Sequence, residues 1–182
     1  YATAFNRGNN KQSWRDGVAT DGVLIDTDSG EIVVQNLRMP HSPRLFNGEL
    51  FLLFSATGEI VKIFPEEGKY ETIARIDGFV RGMAQYQDFL FVGLSKLRQN
   101  SSTFARLEIA KKASYSGIAV FHIPTGSFYG EIRYSASVDE IYDIQVLPGK
   151  IRPNILNTIQ PEYKDGLSIP DTTFWAIPKS TD

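Results

Sequence analysis

Short apolar runs, alternating or continuous and each closed by a turn signal, recur along this chain. Val23-Leu24-Ile25 and Glu31-Ile32-Val33-Val34-Gln35-Asn36-Leu37 flank Asp28-Ser29-Gly30, a pattern that predicts a β-hairpin. A second pair, Pro43 to Phe46 and Glu49 to Ser55, flanks Asn47-Gly48, the strongest short hairpin signal present. Glu59 to Phe64, the turn Pro65-Glu66-Glu67-Gly68 and the alternating run Tyr70 to Ile76 follow, giving four strands in about forty residues.

The unit then returns. Glu49-Leu50-Phe51-Leu52 recurs as Asp88-Phe89-Leu90-Phe91, a register that sets Arg81 in the place of Ser42 and Gly82 in that of Pro43. Gly117 to Ile123, the turn Pro124-Thr125-Gly126 and Phe128 to Tyr134 complete this second unit, and a third opens at Asp139 to Gly149 with another apolar strand. A period of about forty residues with four strands per unit is the mark of propeller blades. The predicted fold is all-β, with about three to four four-stranded β-propeller blades forming part of a larger ring, since a ring takes at least about four. The competing arrangement is a self-contained sandwich or open solenoid.

Around the blades the pattern weakens. Tyr1 to Gly17 lacks periodicity and reads as a loop, so an N-terminal arm is expected over 1–21, with Trp14 packing it onto the body. Blades are expected over 22–156, interrupted at 94–113 by an insertion whose centre, Phe104 to Lys112, suits one or two helical turns. The proline-punctuated stretch 157–182 reads as a wrapping tail, held by Ile155, Leu156, Phe174 and Trp175, with a strand near Thr172 to Ile177. The chain starts at Tyr1 and its blades are too few for a ring. The expectation is therefore a piece of something longer, whose missing half, or a partner chain, completes the propeller.

Composition narrows the classes of function. With 182 residues, 42% hydrophobic and 12% aromatic, the chain can bury a substantial core. Nineteen basic against 21 acidic side chains leave a net charge of -2 and no basic stripe, so a nucleic-acid partner is not expected. There is no cysteine, which excludes disulfides, thiolate metal sites and cysteine nucleophiles. Apolar runs such as Leu50 to Phe54 are far too short to span a bilayer, so no membrane partner is expected, and the chain is placed in the cytoplasm.

In a propeller the first strand of each blade lines the central channel, so residues heading those strands converge. Here they are His41, Ser42 and Arg44 in one unit, Arg81 in the next, and Glu140 and Asp143 in the third. Brought together they form a candidate site for a small polar or anionic ligand, with the arginines as bidentate clamps and His41 as acid-base group or ligand. Lys96 and Arg98, at the start of the insertion, offer a second anion clamp. The bland alternative is a structural network that satisfies buried polar groups between blades. Only two histidines exist, and His122 falls away from the strand heads. No Gly-x-Ser-x-Gly elbow, Gly-rich phosphate loop or zinc-binding pair occurs, so no metal and no cofactor is expected. Asp26 and Asp28 fit turn chemistry rather than calcium. The predicted function is a binding or scaffold propeller for a small ligand or a protein partner. The alternative is a lyase, hydrolase or sugar-active enzyme using His41, Arg44, Arg81 and Glu140.

Several strings carry a family resemblance. Met39-Pro40-His41-Ser42-Pro43-Arg44, Gly78-Phe79-Val80-Arg81-Gly82, Gly93-Leu94-Ser95-Lys96-Leu97-Arg98 and Glu140-Ile141-Tyr142-Asp143-Ile144 resemble an uncharacterised bacterial family of conserved hypothetical proteins. That family is frequent in cyanobacteria and sometimes joined to tetratricopeptide repeats, and the resemblance covers roughly residues 14 to 156. It implies a propeller-like fold, chains about twice as long as this one, consistent with a larger ring, and no established activity.

Overall fold

The alternating runs do become strands. A computed structural model describes residues 1–15, 17–97, 103–136, 138–151, 153 and 159, and the backbone of 166–169 and 172–175. The first compact unit is Tyr1–Val146 and the second Leu147–Asp182.

In the first unit, strands β1 (Ala2–Ala4), β2 (Gly22–Ile25) and β3 (Ile32–Leu37) form a three-stranded antiparallel sheet. Strands β4 (Pro40–Phe46), β5 (Glu49–Phe54), β6 (Glu59–Phe64) and β7 (Lys69–Arg75) form a four-stranded meander. Strands β8 (Phe79–Tyr86), β9 (Phe89–Ser95), β10 (Ser116–His122) and β11 (Ser127–Tyr134) repeat it. The chain passes from the last strand of one sheet to the first of the next, and the first strands β4 and β8 run against each other. These are propeller-like blades, and the three sheets do not close a ring. Among the described residues two blades are four-stranded and one is three-stranded, within the three to four blades that the sequence pattern suggested. The third repeat, expected to open with a strand at Asp139, has no regular strand between Asp139 and Gly149.

In the second unit β12 (Gly166–Ile169) pairs with β13 (Thr172–Trp175), a hairpin that covers the strand anticipated near Thr172. Ile155 and Leu156, and the side chains of Phe174 and Trp175, lie outside the described residues. No helix among the described residues is long and apolar enough to cross a membrane.

Period-two alternation decides how the sheets stack. Leu50, Leu52, Phe54, Val61 and Ile63 of the second sheet bury against Leu24, Val34 and Leu37 of the first. The intervening Phe51, Leu53 and Ile60 point the other way and bury with Leu90, Val92, Leu94, Ala119 and Phe121 of the third. Each interface removes several large side chains from water, at about 1.5–3 kcal/mol apiece. Asn47 and Gly48 both take positive φ, 51° and 82°, as the twist-matched two-residue hairpin turn requires. Asp26 accepts hydrogen bonds from the backbone N–H groups of Ser29 (3.0 Å) and Asp28 (2.9 Å), which hold its carboxyl below the usual range and make it a turn residue.

Two segments depart from the sequence pattern. β1 is a strand where a loop was expected, because Ala2-Thr3-Ala4 is too short and too small to alternate visibly yet pairs in register with Val23 to Ile25. The insertion forms single 3-10 turns at Phe104–Arg106 and Glu108–Lys111, close to the helical turns anticipated. It is no solvated decoration: Leu107, Ile109 and Ala113 bury with Val18, Met39 and Phe79, and Phe5 and Trp14 pack against the same cluster. Trp14 joins the arm to the insertion, 5.6 Å from the Phe5 ring and 6.2 Å from that of Phe104.

Candidate functional site

The first strands β4 and β8 each carry a bulge at the same place. In β4 pairing jumps from His41↔Leu53 to Arg44↔Phe51, and in β8 from Val80↔Leu94 to Met83↔Val92. Ser42-Pro43 and Arg81-Gly82 are therefore the extra residues, as the repeat register implied, and a bulge re-aims the side chains around it. The match slips beyond the bulge: the position of Leu53 is taken by Leu94, because the β8–β9 hairpin is longer.

Backbone strain concentrates here. Met39 and Ser42 both hold positive φ, 55° and 54°, on either side of Pro40-His41. Such conformations cost about 1–3 kcal/mol each and persist where surroundings impose them. Ser42 is fixed by accepting the Gly82 N–H at 3.0 Å. Gly82, at φ +71°, admits the next segment: a Cβ there would stand 2.5 Å from the Cα of Asp143. That segment is seated further by Ser95, whose Oγ donates to the Ile141 carbonyl (3.1 Å) and accepts from the Ile141 N–H (2.9 Å), and by the Lys96 N–H donating to the Asp139 carbonyl at 2.8 Å.

Together these elements enclose a cavity of about 320 Å³. His41, Arg81, Lys96 and Glu140 line it beside Phe5, Phe79, Phe104, Met39 and Leu97. Four of the residues singled out in the sequence thus meet at one place, drawn from two blades, the insertion and the segment after β11. The other described ones do not line it. Ser42 serves the bulge. Arg44 pairs with Asp143 at 2.7 Å and donates to the Pro43 carbonyl at 3.0 Å, an arrangement of the structural kind. Arg98 lies outside the described residues. His122 ends β10 and bonds Thr125 at 2.9 Å. Sequence reasoning missed the apolar wall of Phe5, Met39, Phe79, Leu97 and Phe104. The signal available was the aromatic residue Phe5 in the arm and Phe104 in the insertion.

Hydrogen-bond accounting fixes the state of His41. The Ser55 hydroxyl has one proton and donates it to the Val80 carbonyl at 2.6 Å. Its 2.7 Å contact with His41 Nδ1 must then be accepted from an Nδ1–H, and the Met39 carbonyl, 3.3 Å from the same nitrogen, agrees. Nε2 carries the lone pair and has no partner among the described residues. Burial first, and then the Arg81 charge, push the imidazole down to about 4, against a weaker upward pull from the Met39 carbonyl. It is neutral at neutral pH. Arg81 stacks on the Tyr142 ring at 4.2 Å, and the Tyr142 hydroxyl donates to Glu140 at 2.7 Å. Among the described residues no His, Asp or Glu cluster is arranged to hold a metal ion.

The fold and this cavity define a class: an all-β protein of propeller-like blades with a pocket of charged and aromatic side chains at the heads of its first strands. The chain belongs to the family of the domain of unknown function DUF4915, whose model matches residues 1–156. No curated protein matches it. Among solved structures it is similar to the computationally designed Ika4 protein, at 10% identity and a TM-score of 0.44, over 72% of this chain and 71% of that one. It is also similar to the computationally designed Ika8 protein, at 10% identity and a TM-score of 0.41, over 71% of this chain and 35% of that one. The fold assignment rests on the chain's own strand order.

Proposed function

We propose that this domain is a binding module for a small ligand with an anionic head and a flat apolar body, held in the cavity between β4, β8 and the insertion. The observation that carries this reading is the neutral, oriented His41 beside Arg81. One wall offers a guanidinium with no ion pair among the described residues, an exposed ammonium at Lys96 and an imidazole acceptor at Nε2. Phe5, Phe79 and Phe104 line the cavity too, with the His41 ring packed 5.0 Å from Phe5 and 6.2 Å from Phe79. Pockets that recognise small molecules combine a mostly apolar lining with a few placed polar groups in this way. An anion reaching Arg81 gains charge-assisted bonds, about twice as strong as neutral ones.

The enzyme alternative is less well supported. A general base works best with a pKa near the operating pH, and an imidazole held near 4 is a weak base, better suited to accepting a hydrogen bond from the ligand. Trp14, packed on Phe5 and Phe104, provides the readout. Titration with benzoate and with phenyl phosphate is expected to change its fluorescence saturably, and Arg81→Gln to weaken that binding by about tenfold, the worth of one charged hydrogen bond. Saturation unaltered by Arg81→Gln, or no response to either probe, would defeat the proposal.

A further inference from the structure

The cavity between β4, β8 and the insertion holds more chemistry than an anion needs. Arg81 and Lys96 bring only hydrogen-bond donors to it, whereas His41 Nε2 and the Glu140 carboxylate bring acceptors. One ring links the two kinds: the Arg81 guanidinium stacks on Tyr142 at 4.2 Å, and the Tyr142 hydroxyl donates to Glu140 at 2.7 Å. The opposite charges are thus set one tyrosine side chain apart. A carboxylate has about four acceptor sites, more than the Tyr142 hydroxyl takes up. A simple anion in this cavity meets Glu140 as a like charge and brings no donor to Nε2. At about 320 Å³ the cavity lies at the small end of ligand pockets, which span about 300–1,000 Å³, so its occupant is a single compact molecule.

We infer that the ligand is an α-amino acid with an aromatic side chain, its carboxylate on Arg81 and Lys96, its ammonium between His41 Nε2 and Glu140, and its ring among Phe5, Phe79 and Phe104. This rests on the anion-binding reading of the cavity and adds a second charge to it. An ammonium has three N–H donors and no acceptor, the complement of an imidazole lone pair beside a carboxylate. His41 suits that role because the Ser55 oxygen holds its Nδ1–H at 2.7 Å, which leaves Nε2 as the acceptor, and because a neutral imidazole does not repel a cation. The aromatic lining starts next to the same group: Phe5 and Phe79 lie 5.0 and 6.2 Å from the His41 ring. The ammonium and the ring of the ligand therefore have to branch from neighbouring atoms, as they do in an α-amino acid, whereas a long amine would carry them apart.

Calorimetric titration of the full chain at neutral pH with three probes separates the contributions. These are L-phenylalanine, hydrocinnamate, which lacks only the ammonium, and phenethylamine, which lacks only the carboxylate. Phenylalanine is expected to bind at least about tenfold tighter than either analogue, the effect of one charged hydrogen bond. Glu140→Gln keeps an oxygen for the Tyr142 hydroxyl and is expected to weaken phenylalanine about tenfold without weakening hydrocinnamate. Hydrocinnamate binding as tightly as phenylalanine, or Glu140→Gln changing both alike, would overturn the amino-acid inference and leave the anion pocket standing. If neither carboxylate compound binds, or if Arg81→Gln weakens neither, the anion pocket fails and this inference with it. The comparison of the three probes on the unaltered chain decides the matter even where Glu140→Gln does not fold.

Discussion

The sheets β4–β7 and β8–β11 share strand order, a proline-bearing outer turn that ends in a left-handed glycine and a bulge in the first strand, yet among the described residues one packs against another sheet on both faces and the other on one. The bulges differ as well: Ser42-Pro43 in the first and Arg81-Gly82 in the second. Identical architecture is being put to separate uses. In the first of them, the charged group buried most deeply is Glu59, which accepts hydrogen bonds from Thr57, Arg75 (2.6 Å) and Arg38 (3.1 Å) and anchors the sheet. In the other, Arg81 is turned to a cavity and a ring stack. Polar residues on one scaffold serve stability where they are enclosed and, on the proposed reading, recognition where they line a cavity.

The largest effect that separates the two sheets is expected from their apolar faces. Leu53→Ala, inside the joint between the second and third sheets, is expected to cost about 2–5 kcal/mol in chemical denaturation. Ile132→Ala, at a position that is 56% exposed, is expected to change stability by less than about 0.5 kcal/mol. Comparable losses at the two positions would erase the distinction.

Next comes pH. His41 sits near 4 in the folded chain against 6.5 for an unperturbed histidine, so between those values the unfolded chain binds the proton first. Its full contribution is present above pH 6.5 and is lost on the way down to pH 4, about 3 kcal/mol in all. His41→Gln is expected to flatten the stability curve across that window. Glu59 acts lower. Burial alone would raise its carboxyl, but the bonds from Thr57, Arg75 and Arg38 outweigh it and hold the group below 4.5. Its stabilisation is present above that value and is lost as pH falls through the lowered one, so Glu59→Gln is expected to reduce acid sensitivity only below about pH 4.5. Smaller again is Gly82→Ala, expected to cost about 1–2 kcal/mol through its positive φ and the approach of Asp143, and to raise amide exchange at Ile141.

Much of the scaffold was legible in the sequence, and for local reasons. Asn47-Gly48, Asp28-Ser29-Gly30 and Pro124-Thr125-Gly126 impose their turns whatever surrounds them, so the strands they join were placed correctly. The equivalence of Ser42-Pro43 with Arg81-Gly82 was visible too. The slip beyond the bulge was hidden because hairpin length alters register without altering apolar content. β1 was hidden because three small residues carry no pattern. At the site, His41, Arg81 and Glu140 were expected to converge and Lys96 to belong to a second clamp with Arg98, whereas the pairing of Arg44 with Asp143 depends on how a later segment crosses Gly82. The apolar wall was missed because Phe5 and Phe104 sit in loops where an aromatic side chain has no period to announce it.

The proposed site depends on a neutral His41 beside the Arg81 charge. The most direct measurement is a nuclear magnetic resonance titration of the His41 ring, alone and with benzoate. The expected result is a midpoint near 4 in the free protein, moving upward when benzoate offsets the Arg81 charge, and moving upward without benzoate in Arg81→Gln. A midpoint near 6.5 in the free protein, or one that benzoate leaves in place, would contradict it.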